Sequence, residues 1–152
     1  MGPAHGYLPS APQFRIFHAV MTDSKYEGLQ SEIRDWKTPV IDHFENIYPD
    51  RDYEVRMSVT EFTCICPKTG LPDFATLILT FVPDKLCLEL KSFKEYLLAY
   101  RDKGIFHENV ANRVLDDVVA TIKPRRASLE GVFRSRGGIQ TTVRRDYTAG
   151  KK

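Results

Sequence analysis

The chain predicts an α+β fold: an antiparallel four-stranded sheet with two consecutive helices on one face. Three observations carry this. A segment of alternating apolar residues and a second that is apolar on both faces meet at the turn Cys66-Pro67-Lys68-Thr69-Gly70-Leu71-Pro72. Two amphipathic helical stripes occupy the middle of the chain. Two more alternating segments meet at Gly137-Gly138. The order is therefore ββααββ, and placing both helices on one face is the obvious layered solution. The 152 residues suit one domain with a single core.

Residues 1–30 carry Gly, Pro, Ser and His without a stable period and are expected to form a flexible arm, with Met21 as an alternative start. The single domain is then 31–152. Residues 31–50 hold scattered apolar positions and are expected to wrap the domain rather than form its core. Tyr53, Val55, Met57 and Val59 alternate as in a strand, but Phe62, Cys64 and Cys66 continue on the other phase. Only a bulge near Thr60-Glu61 keeps one face inward through that slip. Pro67, Gly70 and Pro72 force the turn that follows. Phe74–Val82 is a strand that is apolar on both faces.

Pro83-Asp84 is a turn, after which Leu86, Leu88 and Leu90 alternate briefly. Ser92-Phe93-Lys94-Glu95 matches a capping box. Phe93, Tyr96, Leu97 and Tyr100 form the stripe of a first helix, with Lys103 and Gly104 as its expected stop. A second helix is expected from about Glu108 to Lys123, with Ala111, Val114, Leu115, Val118 and Ile122 inward and Pro124 ending it. Leu129, Gly131 and Phe133, then Ile139, Thr141 and Val143, form the last pair of strands. No helix remains for the second face of the sheet. With its Thr, Val and Ile residues, that face is expected to invite a homo-oligomer.

The formal net charge is only +2, which gives no global case for nucleic-acid binding. The C-terminal part is locally basic through Arg125, Arg126, Arg134, Arg136, Arg144, Arg145, Lys151 and Lys152, as solvated surface or toward a phosphate-bearing ligand. Three cysteines, no secretory h-region and no apolar run of membrane-spanning length point to a reducing, cytoplasmic setting with free thiols. The four histidines and the Cys-x-Cys pair lack the usual zinc spacing, so no metal is expected.

The turn brings a thiol, Cys66, and a carboxyl, Asp73, to one end of the hairpin. A thiolate is a nucleophile, and a carboxyl beside it can carry protons. Both residues have plainer uses, Cys66 as a small buried hydrophobe and Asp73 as a turn former. Cys64 and Cys87 are assigned to packing.

Four motifs together give a sharper answer. They are Cys66-Pro67-Lys68-Thr69-Gly70-Leu71-Pro72-Asp73-Phe74, Glu89-Leu90-Lys91-Ser92-Phe93-Lys94-Glu95-Tyr96, Phe106-His107-Glu108 and Arg136-Gly137-Gly138. In this order and spacing they resemble the QueF-type nitrile oxidoreductases, the 7-cyano-7-deazaguanine reductases of queuosine biosynthesis, in their unimodular form. The likeness spans roughly residues 40–145. Glu95 and Leu71 depart from the family's usual residues, and the N-terminal arm has no counterpart.

The resemblance implies the T-fold, built as stacked pentameric rings with active sites between subunits. It implies NADPH-dependent reduction of the nitrile of 7-cyano-7-deazaguanine to an amine through a covalent cysteine thioimide. Catalysis would fall to Cys66 as nucleophile, Asp73 as proton carrier and His107 as a second donor. Leu88, Glu89, Leu90, His107 and Glu108 would bind the substrate, the two carboxylates reading a guanine-like edge. Lys91, Lys94 and Arg136 would hold the cofactor phosphates, since the chain has no G-x-G-x-x-G fingerprint. Taken alone, His107 is a helix-start histidine, Glu108 a first-turn acid, Glu89 a strand-end charge and the lysines solvated surface. Neither nucleic acid nor membrane is required. The alternatives are a QueF-like amidinotransferase acting on nitrile-bearing tRNA, a zinc cyclohydrolase of the same fold and a non-catalytic RNA-binding module.

Overall fold

The computed structural model describes residue 26 and residues 28–150. Most of the expected arm, with Met21, lies outside the described residues. The elements are α1 (Ser31–Asp35), β1 (His43–Glu45), β2 (Val55–Ile65), β3 (Pro72–Val82), β4 (Leu86–Leu88), α2 (Leu90–Leu98), α3 (His107–Ile122), β5 (Arg126–Phe133) and β6 (Thr142–Thr148). The main sheet is antiparallel throughout, in the order β2-β3-β5-β6. Both long helices lie on one face, so the predicted ββααββ architecture stands. Around it sit a short helix and a second, two-stranded sheet of β1 and β4.

Residues 31–50 do more than wrap the domain, because Ile33 and Ile41 are buried in the core. Arg113 of α3 donates to the carbonyls of Ile33 and Trp36, which ties this segment to the helix layer.

The predicted phase slip in β2 is a real irregularity. Val59 pairs with Leu77 and Phe62 with Ala75, so two residues of β2 face one of β3. Beyond it, Phe62 and Cys64 point at the helices, as Val55, Met57 and Val59 do before it. In β3, residues Ala75, Leu77, Leu79 and Phe81 face the helices and are buried. Each such fully buried large side chain contributes about 1.5–3 kcal/mol.

The other face of the sheet is more polar than the sequence suggests. Arg56, Thr80, Ser128 and Asp146 run across it in one row, and Ser58, Ile78, Glu130 and Arg144 in the next. Its apolar content is limited to residues such as Phe74, Ile78 and Val132.

Two helix boundaries differ from expectation. Ser92 is not the cap of α2. Glu89 caps it, accepting from the amides of Lys91 (2.8 Å) and Ser92 (2.6 Å). Ser92 lies inside the first turn, where its hydroxyl accepts from the Asp42 amide and donates to the Glu89 carbonyl. The helix also ends at Leu98, short of Lys103 and Gly104. Gly104 instead forms a bridge to Ile65. The second helix ends as expected, with Lys123 in the left-handed region just before Pro124.

Candidate active site

The Cys66 turn closes on its own backbone. The Cys66 amide donates to the Leu71 carbonyl and the Gly70 amide to the Cys66 carbonyl, both at 2.9 Å. Gly70 has φ +68°, which L side chains rarely adopt. The loop between α2 and α3 is fastened to the same place. The Ile65 amide donates to Lys103, and the Ile105 amide donates back to Ile65. That fastening brings the start of α3, and with it His107 and Glu108, to the Cys66 end of the sheet.

The three cysteines are free thiols in different settings. Partial burial pushes the Cys66 thiol up, but the Thr69 hydroxyl and the amides of Thr69 and Lys68 outweigh it and hold the pKa below the usual thiol value. Cys64 is fully buried; burial first, then the charges of Asp73 and Cys66, pushes it up to about 12. Cys87 is buried beside the Tyr53 hydroxyl. Cys66 alone of the three combines access with a stabilised thiolate.

Asp73 opens β3 opposite Cys64 and is only 5% exposed. A carboxylate that deep requires partners. It has two: Arg136 at 2.6 Å on one oxygen and His107 Nε2 at 3.3 Å on the other. Arg136 also donates to the Pro72 carbonyl at 2.9 Å. The His107 ring lies flat on Phe133, with centroids 3.7 Å apart and planes within 9°, so its edge is aimed at Asp73. A nucleophile, a buried carboxylate and a histidine thus gather around one turn. This set can add sulfur to an electrophilic carbon and hand a proton to the atom that becomes negative.

Glu108 stays with this group, but within one chain Leu88, Glu89, Leu90, Lys91 and Lys94 lie elsewhere. β3 runs from the Cys66 turn to the opposite end of the sheet, and β4 and the start of α2 follow there. Leu90, Phe93 and Lys94 share a groove with Met57 and Phe62 along β2. That groove runs from Met57, roughly 30 Å of strand away from Cys66 at ~3.3 Å per residue, up to Thr63. Leu88 is a core side chain, whereas Leu90 is 65% exposed. Hydrogen bonds from the Ser92 and Lys91 amides hold the Glu89 carboxyl below the usual carboxylate range. The ammonium of Lys91 is 3.9 Å from Glu95 and open to solvent.

Sequence reasoning did not identify Thr69 as a thiolate donor or Phe133 as the platform for His107. A hydroxyl three residues after Cys66 in a Pro-Gly turn was the available signal for Thr69. Of the basic C-terminal residues, Arg125 and Arg126 pair with Asp52, Arg144 with Asp146 and Arg145 with Asp116. They are internal ion pairs rather than an open phosphate patch.

The model of a family described as QueF-like protein matches residues 72–152. A relative from Chloroherpeton thalassium is 50% identical over 115 residues, covering 76% of this chain and 99% of its own. Another, from Nitrosococcus oceani, is 55% identical over 107 residues, covering 70% of this chain and 83% of its own. Both are named NADPH-dependent 7-cyano-7-deazaguanine reductase. The chain belongs to the QueF-like family. The fold agrees: a crystal structure of the archaeosine synthase QueF-Like in the apo form superposes with a TM-score of 0.59 at 21% identity, over 64% of this chain and 96% of that one. In this QueF-like chain the Cys66-to-Asp73 turn, His107 and Arg136 are therefore set on the T-fold by one hairpin, one helix start and a second hairpin.

Proposed function

We propose that this protein is an NADPH-dependent reductase that converts the nitrile of 7-cyano-7-deazaguanine to the amine of 7-aminomethyl-7-deazaguanine in queuosine biosynthesis. The shared name of its relatives supports the reaction. The observation that carries the mechanism is the accessible Cys66 thiol with lowered pKa, next to a buried, paired Asp73.

The Cys66 sulfur adds to the nitrile carbon and forms the carbon–sulfur bond of a thioimide. One π pair of the C≡N bond moves to nitrogen, which takes a proton from Asp73. Nothing leaves in this step. When bound, NADPH would supply the hydrides, one from each of two molecules in turn. Once the carbon is reduced, the carbon–sulfur bond breaks and Cys66 departs as a thiolate, which its three donors favour. Asp73 and His107, in contact, supply the protons that nitrogen takes on the way to the amine. Glu108, exposed at the α3 start, accepts from the N–H groups of the base. Glu89 retains lone pairs for the same purpose beyond those its two amide bonds use.

Lys91 and Lys94 suit a phosphate-bearing cofactor. Both are exposed on the N-terminal half of α2, and Lys94 borders an apolar groove lined by Met57, Phe62, Phe93 and Leu97. Leu88 and Glu89 follow the end of β3 remote from the Cys66 turn, so a site that joins them to Cys66 would draw on two subunits. No further strand lies beside the outer strands β2 and β6 among the described residues, and the outer edge of β2 is bridged at Ile65 by Gly104. Rings of five subunits that stack in pairs, working in the cytoplasm where thiols stay reduced, satisfy both facts. Each subunit would be one catalytic domain over 31–152 with an arm of residues 1–30. Light scattering coupled to an activity assay checks this: an active monomer contradicts it.

The mechanism is tested without NADPH. Protein and nitrile base alone should give an adduct heavier by the whole substrate mass, and NADPH should discharge it. Cys66→Ala should abolish adduct and turnover, while Cys64→Ala and Cys87→Ala keep both. Asp73→Ala should slow adduct formation by about two to four orders of magnitude. A fully active Cys66→Ala protein would sink the proposal.

A further inference from the structure

We infer that Arg136 is a positioning residue for Asp73, acting in the addition of Cys66 to the nitrile before any cofactor is needed. The inference rests on the addition step proposed above. The resemblance by itself would make Arg136 a ligand for cofactor phosphate. The geometry gives its guanidinium a different occupation. One nitrogen is 2.6 Å from Asp73 Oδ1 and also donates, at 2.9 Å, to the carbonyl of Pro72, the residue just before Asp73. It therefore grips both the carboxylate and the backbone that carries it.

The hairpin makes this grip a built feature. Arg136 and Ile139 bond each other's backbones on either side of Gly137 and Gly138, whose φ angles are +56° and +82°. The tight turn fixes the Arg136 backbone, and a Cβ at either glycine would meet open space, so the positive φ and not crowding calls for glycine there. The groups facing Asp73 are Cys64 from β2, Cys66 from the turn, His107 from α3 and Arg136 from this hairpin. Cys64 and Cys66 can only add negative charge, and His107 is charged only when protonated. Arg136 is the permanent cation of the group.

That charge is what lets a carboxylate sit this deep. Addition passes one proton between Cys66 and Asp73: the sulfur attacks as thiolate and the carboxyl gives the proton to nitrogen. Without Arg136, the buried carboxylate loses its permanent counter-charge and its fixed direction toward the substrate nitrogen.

The experiment measures adduct formation from 7-cyano-7-deazaguanine with NADPH absent, by intact mass. Arg136→Ala should slow the adduct about tenfold or more, short of the ~10²–10⁴ loss for removing the acid itself. Arg136→Gln keeps a donor for Pro72 without the charge and should be slowed alike. Arg136→Lys restores a cation and should bring the rate back toward the original. Wild-type adduct rates in both neutral variants, with only the NADPH KM raised, would overturn the assignment and leave Arg136 a cofactor ligand. If the unaltered protein forms no adduct at all, the addition step falls, and this assignment with it.

Discussion

Iodoacetamide at about pH 8 should alkylate Cys66 and spare Cys64, because thiolates and not thiols react. The structure sets the size of the difference. Cys64 is pushed up to about 12, whereas the Thr69 and Lys68 donors hold Cys66 below the usual thiol value. At that pH Cys64 is ionised to about one part in 10⁴, and Cys66 carries a far larger thiolate fraction. Full burial of Cys64 widens the difference. Digestion and peptide mass spectrometry after timed labelling give the two rates. Thr69→Val adds a check on the cause. One hydrogen bond contributes about 0.5–1.5 kcal/mol net, and solvent at this half-open turn favours the low end, so the labelling midpoint should rise by ~0.5 pH unit. Comparable labelling rates for Cys64 and Cys66, or an unmoved midpoint in Thr69→Val, would refute the picture of a thiolate held by the turn.

Replacing both Lys91 and Lys94 with alanine should raise the apparent KM for NADPH far more than that for the nitrile in steady-state kinetics, and equal effects would remove their cofactor role. Gly131→Ala tests the core beneath the site. An added Cβ would meet Leu77 Cδ2 and Phe133 Cε2, both at 3.2 Å and both on buried side chains. Urea denaturation should show a loss of about 1–2 kcal/mol, the usual cost of overpacking a tight core. A stability equal to that of the unaltered chain would mean the two neighbours give way freely.

The long periodic elements were legible because their faces are strongly unlike. α3 buries Val110, Ala111, Val114, Leu115, Val118 and Ile122 along one stripe. The two sheet hairpins announce themselves by alternation and glycine, although β6 starts only at Thr142, past Ile139 and Thr141. The bulge was legible as a change of phase. β1 was not, since His43, Phe44 and Glu45 are all exposed and three residues carry no period. The α2 start was misplaced because Ser is a common cap and Glu an uncommon one. At the site, Cys66 and Asp73 flank one turn and so declare themselves together. The bonds of Asp73 to His107 and Arg136 join three separate elements, and only the packed sheet creates them.

The extra residue at Thr60-Glu61 has a consequence for how β2 could be shortened. Deleting one of the two would leave Val59 opposite Leu77 and Phe62 opposite Ala75, now in uninterrupted alternation. The same side chains would still enter the same core. Interior packing therefore does not call for the surplus residue. What it changes is curvature, since a bulge bends and further twists the strand that bears it. Cys66 lies just past the end of that bent segment, so the direction in which the strand hands its chain to the turn is set by a residue that touches neither thiol nor carboxylate. Foldability and aim are separable properties here, divided between the partners that Phe62 and Cys64 find in the core and a single surplus peptide unit upstream of them.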